Sequence, residues 1–167
     1  MRLLYLLSVL FICIATKENI AQPLSELETV GTAKLRVLFF DIYTSELKTE
    51  SGEYTDGIRP IQLKIIYERN IKSSALIKQT KKEWDAQMAN DKNQLSWIKT
   101  LESIWPNIES GDTLTFELYK NDKNQFFYNE RAIGSVNDPN FGENFLDIWL
   151  SPKTTRPKIR REMLRNN

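Results

Sequence analysis

Histidine is absent from this chain of 167 residues, and cysteine occurs once, at Cys13 near the N-terminus. The absence of histidine removes the commonest metal ligand and the commonest general base of enzymes. A lone cysteine cannot form a disulfide within the chain. Because no set of carboxylates at metal-ligand spacing replaces the missing groups, the sequence predicts no metal site, no cofactor and no catalytic residue.

A large excess of charge of either sign is also missing, since 23 Lys and Arg residues stand against 22 Asp and Glu residues. Broad nucleic-acid binding needs a concentrated basic surface, so we expect no nucleic-acid partner. The local exception is a C-terminal segment with one acid, Glu162, and six cations: Lys153, Arg156, Lys158, Arg160, Arg161 and Arg165. We interpret it as a solvated helix face, with contact to a membrane surface or a partner as the alternative.

The longest hydrophobic run lies at the N-terminus, where Arg2 precedes apolar residues that end at Ala15. A basic residue followed by about a dozen apolar residues and then small ones is typical of a secretory signal peptide. The run is shorter than the roughly 20 apolar residues of a membrane-spanning helix. We therefore expect residues 1–21 to be a signal peptide, cleaved after Ala15 or Ala21, and residues 22–167 to form a periplasmic or secreted domain without a membrane span. An uncleaved N-terminal anchor is the alternative.

Strand patterns occur on both sides of a central helical region. Residues 33–43 are rich in β-branched and aromatic side chains and predict one strand buried on both faces. Residues 49–57 are rich in Ser, Gly, Glu and Asp and predict a turn between strands. The same reasoning predicts further strands at residues 61–67, 113–119, 125–128 and 132–136.

Helical periodicity predicts helices at residues 71–89 and 93–105. Asp138 followed by Pro139 predicts the start of a third helix, with the cap first and proline at the first helical position. That helix carries a single apolar stripe: Phe141, Phe145, Ile148 and Trp149. A short basic helix follows at residues 157–164. This order of elements predicts an α+β fold, an antiparallel sheet with helices on one face.

Several short segments, in order over nearly the whole chain, carry a family resemblance. They are residues 30–36 with 40–43, 105–106 with 111–115, and 145–150 with Thr154, Pro157 and 160–164. Together they resemble the bacterial chalcone-isomerase-like family. The resemblance implies an open-faced sandwich, in which helices are layered over one side of a large antiparallel sheet.

The resemblance also implies a cleft beside the first strand. Plant chalcone isomerases use an Arg, a Thr, and a Tyr near a Lys and an Asn in that cleft. Arg36 resembles the Arg, whereas Leu38 stands at the Thr position and residues 71–75 contain no Tyr. A related plant branch lacks the isomerase reaction and binds fatty acids, holding the carboxylate with Arg and Tyr.

Three residues are therefore candidate ligand-binding groups: Arg36, Tyr43 and Tyr67. A guanidinium can hold a carboxylate bidentately, and tyrosine hydroxyls can donate to it. For Arg36, the alternative is an ion pair with Asp41 or Glu46. For the tyrosines, it is packing at the edge of the core.

These observations favour a non-catalytic binder of a small apolar ligand with an acidic head, such as a fatty acid. The first alternative is an isomerase or intramolecular lyase of the chalcone-isomerase type. The second is an envelope protein whose surface binds another protein. The lack of the family's Thr and Tyr favours the binder and the envelope module over the enzyme.

Overall fold

The computed structural model describes residues 23–87 and 92–165. The predicted signal peptide lies outside the described residues. Within these two ranges, none of the helices is long and apolar enough to cross a membrane.

The described residues form one antiparallel sheet in which each strand pairs with its neighbours in sequence. The strands are β1 (Glu28–Val37), β2 (Phe40–Thr49), β3 (Ile61–Tyr67), β4 (Thr113–Leu118), β5 (Asn124–Tyr128) and β6 (Arg131–Gly134). The helices are α1 (Ser73–Ala86) and α2 (Gln94–Ile104) between β3 and β4, and α3 (Phe141–Leu150) and α4 (Pro157–Met163) after β6. The order and pairing confirm the predicted α+β open-faced sandwich.

Alternation along β3 separates the two faces of the sheet. Ile61, Leu63 and Ile65 are buried in the hydrophobic core beneath the helices. Gln62 and Lys64 lie between them and therefore face the opposite, open side, because successive side chains of a strand point to opposite faces. The predicted bounds of this strand are confirmed.

The open face of the sheet holds the N-terminal segment of the described chain. Glu117 on β4 is fully buried, and its Oε1 accepts hydrogen bonds from the Leu24 backbone N–H and from Gln62 Nε2, each at 2.7 Å. Its Oε2 accepts a hydrogen bond from the Tyr119 hydroxyl at 2.8 Å. A buried carboxylate needs such donors, so Glu117 binds the chain ahead of β1 to this face.

The core beneath the helices is built from aromatic rings. Phe145 of α3 lies 4.7–6.0 Å, between ring centroids, from five others: Trp105, Phe116, Phe126, Phe141 and Trp149. The predicted apolar stripe of α3 is confirmed, since its four residues are buried.

The start of α3 differs from the prediction. The helix begins at Phe141 rather than directly after Asp138. Asp138 instead joins α2 to the start of α3: its Oδ2 accepts hydrogen bonds from Trp97 Nε1 and Asn93 Nδ2, each at 2.9 Å, and its Oδ1 accepts from the Asn140 backbone N–H. Asn93 and Trp97 are far from Asp138 in the sequence, so the local cap pattern of Asp138 and Pro139 gives no sign of them.

The prediction of one buried strand at residues 33–43 is wrong. The chain reverses at Leu38 and Phe39, and Val37 pairs with Phe40 across a two-residue turn. Leu38 has a φ of +55°, a conformation that bulky residues rarely adopt. A run of apolar residues without Gly, Asn or Asp gives no turn signal, which is why the pattern indicated a buried strand instead.

Candidate functional site

A cavity of about 320 Å³ lies between the sheet and helices α1 and α3. Its volume falls at the lower end of the range for small-molecule sites, about 300–1,000 Å³. Most of its lining is apolar and comes from both layers of the fold: Leu35, Val37, Ile42, Ile65, Ile71, Ala75, Leu76, Trp105, Leu114, Phe145, Ile148 and Trp149. Such a lining suits an apolar ligand.

The periodicity of each element explains which side chains reach the cavity. Strand residues two apart share a face, which brings Ile65 and Tyr67 of β3 to the same wall. On α1, Leu76, Thr80 and Glu83 follow the spacing of one helix face. Along that face the lining changes from apolar at the start of α1 to polar about two turns later.

Tyr43 and Tyr67, two of the three candidate ligand-binding residues, both line the cavity. Their rings meet edge to face with centroids 6.1 Å apart. The Tyr43 hydroxyl accepts a hydrogen bond from Trp149 Nε1 at 3.0 Å. Burial raises the pKa of both tyrosines above the ordinary value. Both hydroxyls therefore stay protonated at neutral pH and can donate to a ligand oxygen.

The polar end of the cavity is formed by Glu83 and Arg156. Glu83 is almost fully buried, and its Oε1 accepts a hydrogen bond from Gln79 Nε2 at 2.6 Å while its Oε2 accepts one from the Thr155 hydroxyl. Arg156 Nε lies 3.8 Å from Glu83 Oε1. The charges of Arg156 and Glu83 also reach Tyr43, where they act on the pKa in opposite directions.

Arg156 has unused hydrogen-bonding capacity. Its nearest approach to Glu83 is through Nε, and its two Nη atoms have no hydrogen-bond partner among the described residues. About a third of its side chain is exposed. A guanidinium presents its donors in a planar fork that matches a carboxylate. The arrangement can therefore receive an oxyanion at the cavity's polar end.

Trp105 supplies a second unused donor. The residue lines the cavity, and its Nε1 is buried without a hydrogen-bond partner among the described residues. Buried N–H groups are nearly always paired, because leaving one unpaired costs about 1–3 kcal/mol. The wall thus contains a polar group that a ligand acceptor or a water within reach would satisfy.

The structure places Arg36 outside the cavity. Its neighbours Leu35 and Val37 line the cavity, whereas Arg36 is 67% exposed and its Nε donates to Asp41 Oδ1 at 2.5 Å. The ion pair with Asp41, which the sequence left open as the alternative, is present. This pairing lowers the pKa of the Asp41 carboxyl. Leu38, at the position that the resemblance paired with a Thr, lies at the exposed turn rather than in the cavity.

Sequence reasoning missed Glu83 and did not assign Arg156 to a site. Arg156 appeared only as one member of the basic C-terminal segment. Its contact with Glu83 joins residues far apart in sequence and carries no local signal. The local sequence signal next to Arg156 was Pro157, which sets the start of α4 and so places Arg156 directly before that helix.

The family model described as chalcone isomerase-like matches residues 18–165. The chain belongs to this family. An uncharacterized protein of Haemophilus influenzae is similar in sequence, with 28% identity over 144 residues. The aligned residues cover 86% of this chain and 71% of that protein. Among solved structures, a fatty-acid binding protein of Arabidopsis thaliana matches with a TM-score of 0.66 at 10% identity. The match covers 87% of this chain and 90% of the plant protein, so the two share the chalcone isomerase-like fold.

Proposed function

We propose that this protein binds a small ligand with an apolar tail and an acidic head, such as a fatty acid, in the cavity between the sheet and helices α1 and α3. The observation that carries the proposal is the lining of that cavity, which is apolar over most of its surface and includes Arg156 and the hydroxyl-bearing Tyr43 and Tyr67. The structural neighbour described as a fatty-acid binding protein supports the same ligand class.

The acidic head is assigned to the end formed by Arg156. An approaching carboxylate meets the two free Nη atoms of Arg156 and the hydroxyl of Tyr43. Glu83 does not depend on Arg156, because Gln79 and Thr155 already donate to its two oxygens. The guanidinium can therefore turn toward the ligand while Glu83 stays paired. The tail then occupies the apolar part of the cavity, where it removes apolar surface from water.

Replacing Arg156 with glutamine should weaken the binding of dodecanoic acid by about tenfold or more, which is the scale of one hydrogen bond to a charged group. Binding of dodecanol should change little, because the alcohol has no charge for the guanidinium to hold. Isothermal titration calorimetry with both ligands measures the difference.

The matched control is Arg36→Gln, which removes an arginine that lies outside the cavity. It should leave both affinities unchanged. Equal affinity of the original protein and Arg156→Gln for dodecanoic acid, or no binding by either, would contradict the proposal. A loss of affinity in Arg36→Gln alone would instead assign carboxylate binding to Arg36, the arginine that the family resemblance favoured.

We also propose that the N-terminal apolar run exports the protein to the periplasm. The support is the layout of residues 2–15, a basic residue and then a short apolar stretch. Intact-mass measurement on a periplasmic extract should find a mature chain that begins at Thr16 or Gln22. Full-length protein recovered from the membrane fraction would contradict export with cleavage.

A further inference from the structure

The end of the β1–β2 hairpin exposes a run of apolar side chains. We call residues 37–40 the apolar tip: Val37 is 45% exposed, Leu38 85%, Phe39 97% and Phe40 54%. They are four of the five large hydrophobic side chains that are exposed among the described residues. Single exposed apolar residues are ordinary, whereas contiguous ones mark interaction sites.

The residues of the apolar tip are not those that a two-residue hairpin turn favours. Two-residue hairpin turns favour Asn-Gly and similar pairs, whose backbones adopt positive φ at little cost. Here Leu38 holds that conformation, with a φ of +55°. A leucine in the left-handed region is strained, and its side chain contributes almost nothing to the core. Packing within the fold therefore does not explain the exposed Leu38 and Phe39.

The apolar tip lies beside the cavity. Val37 lines the cavity, and so does Ile42, which follows the tip on β2. Ile71, just before α1, and Ala75, in its first turn, also line the cavity. The tip and the cavity's apolar wall thus form a continuous apolar surface from the outside of the molecule inward.

Basic side chains surround the base of the apolar tip. The Arg69 guanidinium lies 4.5 Å from the centroid of the Phe40 ring. Lys34 and Arg36 share the single carboxylate of Asp41, at 3.2 Å and 2.5 Å, and Lys34 also lies 3.8 Å from Glu68. Three cations against two carboxylates leave one positive charge in excess. Aromatic and aliphatic residues with cations behind them are typical of segments that enter the interface of an anionic bilayer.

We propose that the apolar tip inserts into the surface of a lipid bilayer that contains anionic lipids and so presents the cavity opening to the membrane. The end of a two-residue hairpin turn is narrow and suits a fluid bilayer, which closes around it. It is too small for a stable protein interface, which buries about 1,000 Å² or more, against roughly 150–250 Å² for each aromatic side chain. The proposal does not depend on which ligand the cavity holds.

The first test is sedimentation with vesicles, using the chain from Gln22 onward, which contains every described element and lacks the N-terminal apolar run. It should sediment with vesicles of phosphatidylethanolamine and phosphatidylglycerol, and less with vesicles of phosphatidylcholine. The double variant Leu38→Asn, Phe39→Gly should reduce the bound fraction at least about tenfold, because it removes the side chains that enter the bilayer. It should fold at least as well as the original, because asparagine adopts the positive φ of position 38 more readily than leucine does.

The second test locates the contact. Cys13 is the only cysteine of the sequence, so the chain from Gln22 onward has none and accepts a single labelling site. An environment-sensitive fluorophore on Phe39→Cys should shift its emission to the blue when anionic vesicles are added. The matched control is Leu95→Cys on α2, where Leu95 is also exposed but stands alone. Its label should not shift.

Several results would overturn the proposal. They are absence of vesicle binding by the original chain, unchanged binding by the double variant, and a blue shift at position 95 equal to that at position 39. Loss of binding on charge reversal of Lys158 and Arg161, without any loss in the double variant, would assign the contact to the basic helix α4. A dimer in ultracentrifugation that the double variant abolishes, with no vesicle binding, would assign the apolar tip to a second copy of the chain.

Discussion

Replacing Phe145 with alanine should lower the free energy of unfolding by about 3–5 kcal/mol, the range for removal of a buried aromatic side chain. Phe145 is 2% exposed and contacts the rings of five other aromatic residues, so its removal leaves a space bordered by large side chains and by the cavity that Phe145 lines. Those neighbours come from β4, β5, α3 and the end of α2, and they cannot all close on the space at once.

Urea unfolding followed by circular dichroism measures this loss. Since domains of this size are stable by about 5–15 kcal/mol in total, the variant should unfold at much lower urea. Leu95→Ala is the matched control, because Leu95 is 72% exposed, and it should change stability by about 0.5 kcal/mol or less. A loss below about 1 kcal/mol for Phe145→Ala would show that α3 does not dock on the sheet as described.

Replacing Gly31 with alanine should cost about 1–3 kcal/mol, because the added methyl group has no space. A Cβ at Gly31 would lie 2.5 Å from the Met163 carbonyl oxygen and 2.8 Å from the Glu162 carbonyl oxygen. Both are backbone atoms of α4, so relief requires movement of the helix rather than of a side chain. Met163 and Ile159, the buried residues of α4, would then lose their packing against β1.

The measurement is urea unfolding together with amide hydrogen exchange along α4, where protection should fall more than in the strands. Gly57→Ala is the comparison, because a Cβ at Gly57 meets no atom within 4 Å and its cost comes only from the φ of +75°. Arg156 directly precedes α4, so Gly31→Ala should also weaken ligand binding. Unchanged stability with α4 still protected would contradict the contact of α4 with β1.

The elements that sequence reasoning predicted well are those whose pattern is local. Residues 61–67 alternate cleanly because one face of β3 packs under the helices. The α3 stripe is equally clear, because one side of that helix is buried. The start of α3 was missed because one oxygen of Asp138 binds distant partners, Trp97 and Asn93, while the other accepts from Asn140, so the helix begins after Asn140.

The candidate site was predictable in part. Tyr43 and Tyr67 line the cavity, but they reach it through strand pairing that brings them opposite each other across β2 and β3. Arg36 stands outside because one step along a strand reverses the face, and the resemblance fixed its strand but not its side. Arg156 could be recognised as a site residue only from the structure, which places the residue before α4 next to Glu83 of α1. No local sequence pattern links the two residues.

Glu117 binds the N-terminal segment of the described chain to the open face of the sheet, so the sheet lies between this segment and the cavity. On one side the Leu24 N–H and Gln62 bind Glu117, which lies between Phe116 and Leu118 on β4 and points away from the core. On the other side lies the cavity. The first described residues therefore lie against the face of the sheet opposite the cavity, and β1 is entered from that face.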